Sequence, residues 1–349
     1  VYQRDYKTKV RIGVVGLGSH SYRNILPTLT FLPVELMAVA DIAEDVAKVT
    51  ARQYGVRAYT SATEMYAKEE LDAVLLCVSP NMHPKLAIEA FEAGLHVWME
   101  KPAGASVADV KKMIASRADR ICVVGLKKAF MPATRKAVEL LSEEIKGPIR
   151  SGLAVYPMSI PADGKKVLEE GRFTRWLADS CHPLSMLVTM GGEVEGVTVH
   201  RGPEDVGGVC LLHHVNGALS TFILADGIPK FQPFERYLFI ANDRSIEIDN
   251  SRKVVFQRGI PFAYGTGTSF APPGRESGAI VWECQDSMNT LENKAVFSQG
   301  LSFSIQHFLD SVINMQVAAI GTLEFALHLT QIYEAALLSS GDKVTLESL

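Results

Sequence analysis

From Lys9 to about Ala129, short apolar runs alternate with amphipathic stretches of helical length. This is the pattern of βα units that build a parallel sheet. Strands are predicted at Val10–Val15, Glu35–Asp41, Ala73–Val78, His96–Met99 and Ile121–Gly125, β-branched and apolar on both faces, as strands covered on both sides must be. Helices are predicted between them at Asn24–Phe31, Ala43–Tyr54, Pro84–Ala93 and Val107–Ser116, with Gly55 and Gly94 placed as C-terminal caps. After Pro132 the rhythm changes. One helix, Pro132–Ile145, is followed by strands at Ile149–Tyr156, Val194–His200, Gly208–His214, Ala218–Leu224, Arg236–Ala241, Arg244–Ile248 and Lys253–Gln257, with helices at Pro183–Met190, Leu301–Asn314 and Leu323–Ser339. The expected architecture is a doubly wound parallel α/β domain over residues 1–128, then an α+β domain over 129–349 with a largely antiparallel open sheet. The stretch from Arg258 to Trp282, rich in Gly, Pro and Ser, shows no periodicity and is expected to be a long loop.

Composition narrows the partners. At 349 residues, with 47% hydrophobic and 21% charged positions, the chain has ample material for two buried cores and is far from the composition of disorder. A net charge of −4 offers no basic face for a phosphate backbone, so nucleic acid is not an expected partner. Apolar stretches such as Ala73 to Val78 fall well short of the roughly 18 residues of a bilayer span. Five cysteines, odd in number and without a CxxC pair, indicate neither a disulfide framework nor a zinc site. With a polar segment from Val1 to Lys9 that lacks the apolar centre of a signal peptide, they point to a reducing, cytoplasmic setting.

Gly16-Leu17-Gly18-Ser19-His20-Ser21 follows the first strand directly and opens a helix. Two glycines there permit a tight turn and let backbone N–H groups approach a pyrophosphate, which the helix N-terminus stabilises. The third small position is Ser21, where glycine or alanine would pack helix on strand more closely. Asp41 closes the second strand, near the ~20-residue spacing expected of the carboxylate that accepts ribose hydroxyls. It would repel a 2′-phosphate, and Ile42 and Ala43 supply no arginine to bind one, so NAD is the expected cofactor. Ser79-Pro80-Asn81-Met82-His83 and Glu100-Lys101-Pro102 end two further strands and fall at the carboxyl edge, where doubly wound sheets bind ligands.

Together with Ala93-Gly94-Leu95-His96-Val97, Val124-Gly125 and the closing helix Ile332 to Ser339, these motifs resemble the Gfo/Idh/MocA oxidoreductase family along the whole chain. The resemblance implies an NAD-binding Rossmann domain contacted by Gly16, Gly18, Ser19, His20, Asp41, Ser79, Pro80, Asn81, His83, Glu100 and Lys101. It also makes Lys101 catalytic, in keeping with the ability of an ammonium group to stabilise a developing alkoxide. The family's second catalytic signature, Asp four residues before His, corresponds to Asp179-Ser180-Cys181-His182, except that Asp179 stands three residues before His182 and Ala178 holds the usual position. His182 is the expected base, since neutral imidazole accepts a hydroxyl proton near neutral pH. Asp179 is read either as its orienting carboxylate or as an N-cap. Where the family carries Asn-Arg-Arg-Phe, this chain has Lys127-Lys128-Ala129-Phe130. Substrate is expected to meet Lys128, Tyr156, Arg175 and Trp176 in a cleft between the domains, and His213-His214, alternating along a strand, form no metal site.

The resemblance implies oxidation of a secondary hydroxyl of a sugar, polyol or glycoside, with neutral rings expected over sugar phosphates because no arginine cluster is evident. Two other readings stay open. One is an NAD-retaining glycosidase-type enzyme that oxidises, eliminates and re-reduces, and the other is a non-catalytic NAD-sensing regulator. Release of NADH separates the first from the second, and turnover of any kind excludes the third. An antiparallel sheet with helices on one side leaves its other face to be covered, so a homo-oligomer, dimer or tetramer, is expected.

Overall fold

The computed structural model describes residues 5–144, 147–202, 207–227, 234–258, 278–284 and 297–349. They fall into two compact units, Val1–Phe130 with Leu291–Gln331, and Met131–Thr290 with Ile332–Leu349.

The first unit contains the strands Val10–Val15 (β1), Val34–Ala40 (β2), Arg57–Tyr59 (β3), Ala73–Leu76 (β4), His96–Met99 (β5) and Cys122–Val124 (β6). All pair in parallel, in the order β3-β2-β1-β4-β5-β6. This is the doubly wound Rossmann order, which reverses direction between β1 and β4. Alternate residues of β1 serve opposite layers. Ile12 and Val14 belong to a core that includes Trp98, Val123, Ile305, Phe308 and Leu309, whereas a Cβ at Gly13 would meet the Met65 side chain at 2.6 Å. The helix Leu301–Asn314, which a division at residue 128 assigns to the second domain, thus packs on the first sheet. The buried Trp98 indole N–H donates to Ser304 Oγ at 3.0 Å and fixes the helix there.

Two elements of this unit have no counterpart in the apolar pattern. The edge strand β3 is short and largely exposed, so burial leaves no mark on its sequence. The helix Ala62–Lys68 is capped by Ser61 Oγ, which accepts the Glu64 N–H at 3.3 Å. Its Ser61-x-x-Glu64 spacing is a capping-box signature that was there to be read.

The second unit contains the strands Ser151–Tyr156 (β7), Val194–Arg201 (β8), Gly208–His214 (β9), Leu219–Leu224 (β10), Arg236–Ala241 (β11), Arg244–Asp249 (β12), Lys253–Gln257 (β13), Ala279–Glu283 (β14) and Val344–Thr345 (β15). Their order is β14-β13-β12-β11-β7-β10-β9-β8-β15, antiparallel except for the parallel pair β7–β10. β14 lies inside the stretch expected to be aperiodic loop; it is an exposed edge strand on β13, and residues 259–277 of that stretch lie outside the described residues. One face of the sheet is core, with Phe222, Tyr237, Phe239, Ile246, Val254 and Phe256 buried. The alternate positions Leu219, Ile223, Ile240 and Val281 are exposed on the other.

Candidate active site

In the first unit the site grows from the ends of β1, β2, β4 and β5. Gly16 has φ +86°, and a Cβ there would stand 2.4 Å from the Cys77 carbonyl oxygen, so no other residue fits between β1 and β4. At Gly18 a Cβ would meet nothing within 4 Å, and Ser19 and His20 are exposed. The turn is tight on the protein side and open on the other, which is the cradle a dinucleotide needs. Ser21 is buried at 2% exposure, and a π-helical turn runs Ser21–Ile25 from that residue.

Asp41 accepts two backbone N–H groups, from Leu17 at 2.8 Å and from Ala43 at 2.9 Å. Each carboxylate oxygen keeps a lone pair for a ribose hydroxyl. At the end of β4, Ser79 and Asn81 are exposed and bonded to each other, Ser79 Oγ donating to Asn81 Oδ1 at 2.7 Å, and Pro80 is half-buried.

His83 departs from expectation. Its side chain is fully buried, so it does not face a cofactor; Nδ1–H donates to the Pro102 carbonyl at 3.0 Å, and burial lowers the imidazole to about 4. At the end of β5 the buried Glu100 carboxylate meets His20 Nε2 at 3.0 Å through one oxygen and accepts the Lys101 N–H at 3.1 Å through the other. Asn24 Nδ2 reaches His20 Nδ1 at 3.2 Å. Lys101 is half-buried within this turn, and Lys128 is half-buried in the short helix Lys127–Phe130.

In the second unit, Thr174 Oγ1 caps the helix Arg175–Asp179 by accepting the Leu177 N–H at 3.2 Å. His182 lies in the first turn of the next helix, Cys181–Gly191, and is 6% exposed. Arg175 donates to the Pro157 carbonyl at 2.7 Å, with Asp179 at 3.9 Å and Asp226 at 3.7 Å from its guanidinium. Burial first, then the nearby charges of Glu235, Asp179 and Cys181, hold the Tyr156 phenol well above its ordinary value. Tyr156, Arg175 and Asp179 are therefore neighbours.

Trp176 is not part of that surface. It is fully buried, stacked between Phe222 and Tyr333 at 6.1 and 6.5 Å, with its indole N–H on the Tyr333 carbonyl at 3.2 Å. Its ring is core and offers no plane to a ligand. Asp226 and Glu235 are the carboxylates the sequence reading missed; each stands at a strand boundary with no motif around it. His214 is buried and satisfied by the Gly192 carbonyl and Ser220 Oγ, while His213 pairs with Thr198 Oγ1. No group of three or more metal-ligating side chains occurs among the described residues.

Residues 10–127 match the family model described as oxidoreductase family, NAD-binding Rossmann fold, Gfo/Idh/MocA. These residues belong to the Gfo/Idh/MocA oxidoreductase family. The myo-inositol 2-dehydrogenase of Thermotoga maritima is 35% identical over 124 residues, covering 35% of this chain and 37% of that protein. The D-xylose 1-dehydrogenase (NADP(+)) 2 of Haloferax volcanii is 29% identical over 154 residues, 43% of this chain and 46% of that protein. The matches thus span less than half the length of these curated relatives. Across the rest, the likeness is one of fold. An oxidoreductase of Agrobacterium radiobacter, solved with NAD+, L-tartaric acid and magnesium, superposes with a TM-score of 0.79 at 17% identity, covering 98% of this chain and 99% of that one. The Gfo/Idh/MocA segment of this chain is an NAD-binding Rossmann domain, and it contains the Gly16–Gly18 turn, Asp41 and Lys101. No described helix is long and apolar enough to cross a membrane.

Proposed function

We propose that this chain is an NAD-dependent dehydrogenase that oxidises a secondary hydroxyl of a sugar, polyol or glycoside. One observation carries the reading: the turn bearing Lys101 is joined to the dinucleotide loop through the 3.0 Å contact of Glu100 with His20, two residues beyond Gly18. An ammonium group is thereby held beside the loop that fits a pyrophosphate.

When bound, NAD supplies the hydride acceptor. Gly16, Gly18, Ser19 and His20 line its phosphate end, Asp41 accepts from its ribose, and Ser79, Pro80 and Asn81 supply the exposed turn at the neighbouring strand end. Lys101 lowers the pKa of the substrate hydroxyl and stabilises the alkoxide. His182 takes the hydroxyl proton as general base. Asp179 orients His182 or shapes the surrounding field, and Lys128, Tyr156 and Arg175 hydrogen-bond ring hydroxyls. Arg175 has Asp179 and Asp226 beside it, so its positive charge is largely offset locally. That favours neutral hydroxylated ligands over phosphorylated ones. The exposed row Leu219, Ile223, Ile240 and Val281 fits self-association through the open face of the second sheet.

The test is NADH formation, followed by absorbance, over free hexoses, pentoses, inositols, glycosides and their phosphates. Stoichiometric NADH with a neutral polyol or sugar is the expected result. Product from a glycoside with no net NADH would replace this reading with redox-neutral cleavage, and selectivity for a phosphorylated sugar would overturn the neutral-ring assignment.

A further inference from the structure

The turn Glu100-Lys101-Pro102 is gripped by two imidazoles from different elements. His20 meets Glu100, and His83, the first residue of the helix His83–Glu92, donates to the Pro102 carbonyl at 3.0 Å. His20 is exposed; His83 is fully buried. A carbonyl can only accept, so the Pro102 contact fixes the proton of a neutral His83 on Nδ1. Its Nε2 is buried with no hydrogen-bond partner among the described residues. An unpartnered buried polar atom destabilises a fold, and an aliphatic side chain of similar volume would fill the space without it. The Pro102 bond is thus the one the imidazole makes in full hydrogen-bond geometry, with the Leu76 carbonyl a second, weaker backbone influence on the ring. Continuity on the other side of Pro102 points the same way: Ala103 is buried, and a Cβ at Gly104 would come within 3.8 Å of Pro84, so the segment after Lys101 lies along the start of this helix.

We propose that His83 is a positioning residue that sets Lys101 by holding the Pro102 carbonyl, and that it makes no contact with cofactor or substrate. The proposal rests on the reading of Lys101 as the catalytic ammonium group. Its physical basis is that a displacement of about 1 Å of a group in the reacting geometry costs on the order of 10²-fold in rate, while ligand contacts elsewhere are unaffected. The helix begun by His83 also continues the Ser79–Asn81 turn, so the same bond ties the cofactor-side turn of β4 to the catalytic turn of β5.

The experiment compares His83→Leu, His83→Gln and His83→Asn with Lys101→Ala, using NAD and whichever polyol or sugar of the panel gives the fastest NADH formation. An asparagine amide nitrogen takes nearly the place of Nδ1 and can still donate to Pro102; glutamine reaches instead toward Nε2, and leucine donates nothing. The expected result is that His83→Leu and His83→Gln lose about 10- to 100-fold in kcat. NAD affinity, read by fluorescence titration, stays within about threefold, and His83→Asn recovers most of the lost rate. Backbone hydrogen exchange, measured without any ligand, should quicken over residues 99–104 in the leucine and glutamine variants and not in the asparagine variant. Equal behaviour of asparagine and leucine, unchanged exchange in the leucine variant, or NAD affinity falling in step with kcat would each overturn the proposal. Wild-type turnover by Lys101→Ala would instead overturn the catalytic reading, and the exchange comparison would still decide whether His83 holds the turn.

Discussion

Asp41 and Leu17 are joined by a 2.8 Å hydrogen bond from the Leu17 backbone N–H to Asp41 Oδ2. The carboxylate at the end of β2 therefore orders the loop between Gly16 and Gly18, and in the proposed function it also accepts from the ribose of NAD. Removing it disturbs both. Asp41→Ala should weaken NAD binding by roughly 10- to 100-fold, the worth of one or two charge-assisted hydrogen bonds. It should weaken NADP binding much less, because the repulsion of a 2′-phosphate disappears at the same time. Titration of both dinucleotides against wild type and variant checks this, and a wild-type preference for NADP would refute the assignment.

Lys101→Ala and His182→Ala should each lower kcat by about 10²–10⁴ with NAD affinity retained, as loss of an acid–base or charge-stabilising group does. Asp179→Ala should cost less than either. Its carboxylate is half-buried and 3.9 Å from the Arg175 guanidinium, a loose pair on a partly solvated helix end. If steady-state kinetics rank Asp179→Ala as the most damaging of the three, the shifted motif has been assigned to the wrong residue.

His83 makes stability depend on pH. The imidazole titrates near 6.5 in the unfolded chain and is lowered by burial to about 4 in the folded one. Between those values the unfolded chain binds a proton that the folded chain excludes, so stability is full above pH 6.5 and is lost progressively as pH falls toward 4. The size is roughly 3 kcal/mol over the window. Urea midpoints measured across this range should fall with pH in the wild type and fall distinctly less in His83→Asn; parallel slopes would refute it.

Trp176→Ala should destabilise the chain by about 3–5 kcal/mol, the usual cost of emptying a large core site, while Trp176→Phe should leave the KM for a sugar or polyol unchanged. Chemical denaturation and kinetics on the two variants separate a core role from a binding one.

Ile223→Glu combined with Ile240→Glu should lower the mass seen by light scattering, because both side chains stand exposed on the open face of the second sheet. An unchanged mass would place any self-association elsewhere.

Regions with a strong local rule were legible in sequence. The parallel order followed from apolar runs buried on both faces, Gly16 from the turn it makes, and Asp41 from its distance to that turn. Lys101 came from a resemblance, and its setting, a buried Glu100 held by His20, was invisible because the partners are 80 residues apart. His83 and Trp176 were misread for one physical reason. Side chains with both a polar atom and a large apolar body suit a ligand site and a core equally well, and only tertiary burial decides between them. Asp226 and Glu235 were missed because carboxylates at strand boundaries are ordinary until a guanidinium or phenol is brought beside them. The expectation for residues 259–277 lies outside the described structure.

The helix Leu301–Asn314 inserts Ile305, Phe308 and Leu309 into the core formed by Ile12, Val14, Trp98 and Val123. A ribosome has made all six strands of the dinucleotide-binding sheet long before it makes this helix. Until it does, Ile25, Leu26, Leu29, Ala47 and Ala51 cover only part of that layer, and the nascent chain must carry the remaining apolar surface through synthesis of the whole intervening unit. An excised fragment ending at residue 128 inherits the same surface permanently. Such a fragment is expected to aggregate or recruit chaperones, whereas a fragment supplied in trans with residues 297–331 has the means to close its own core.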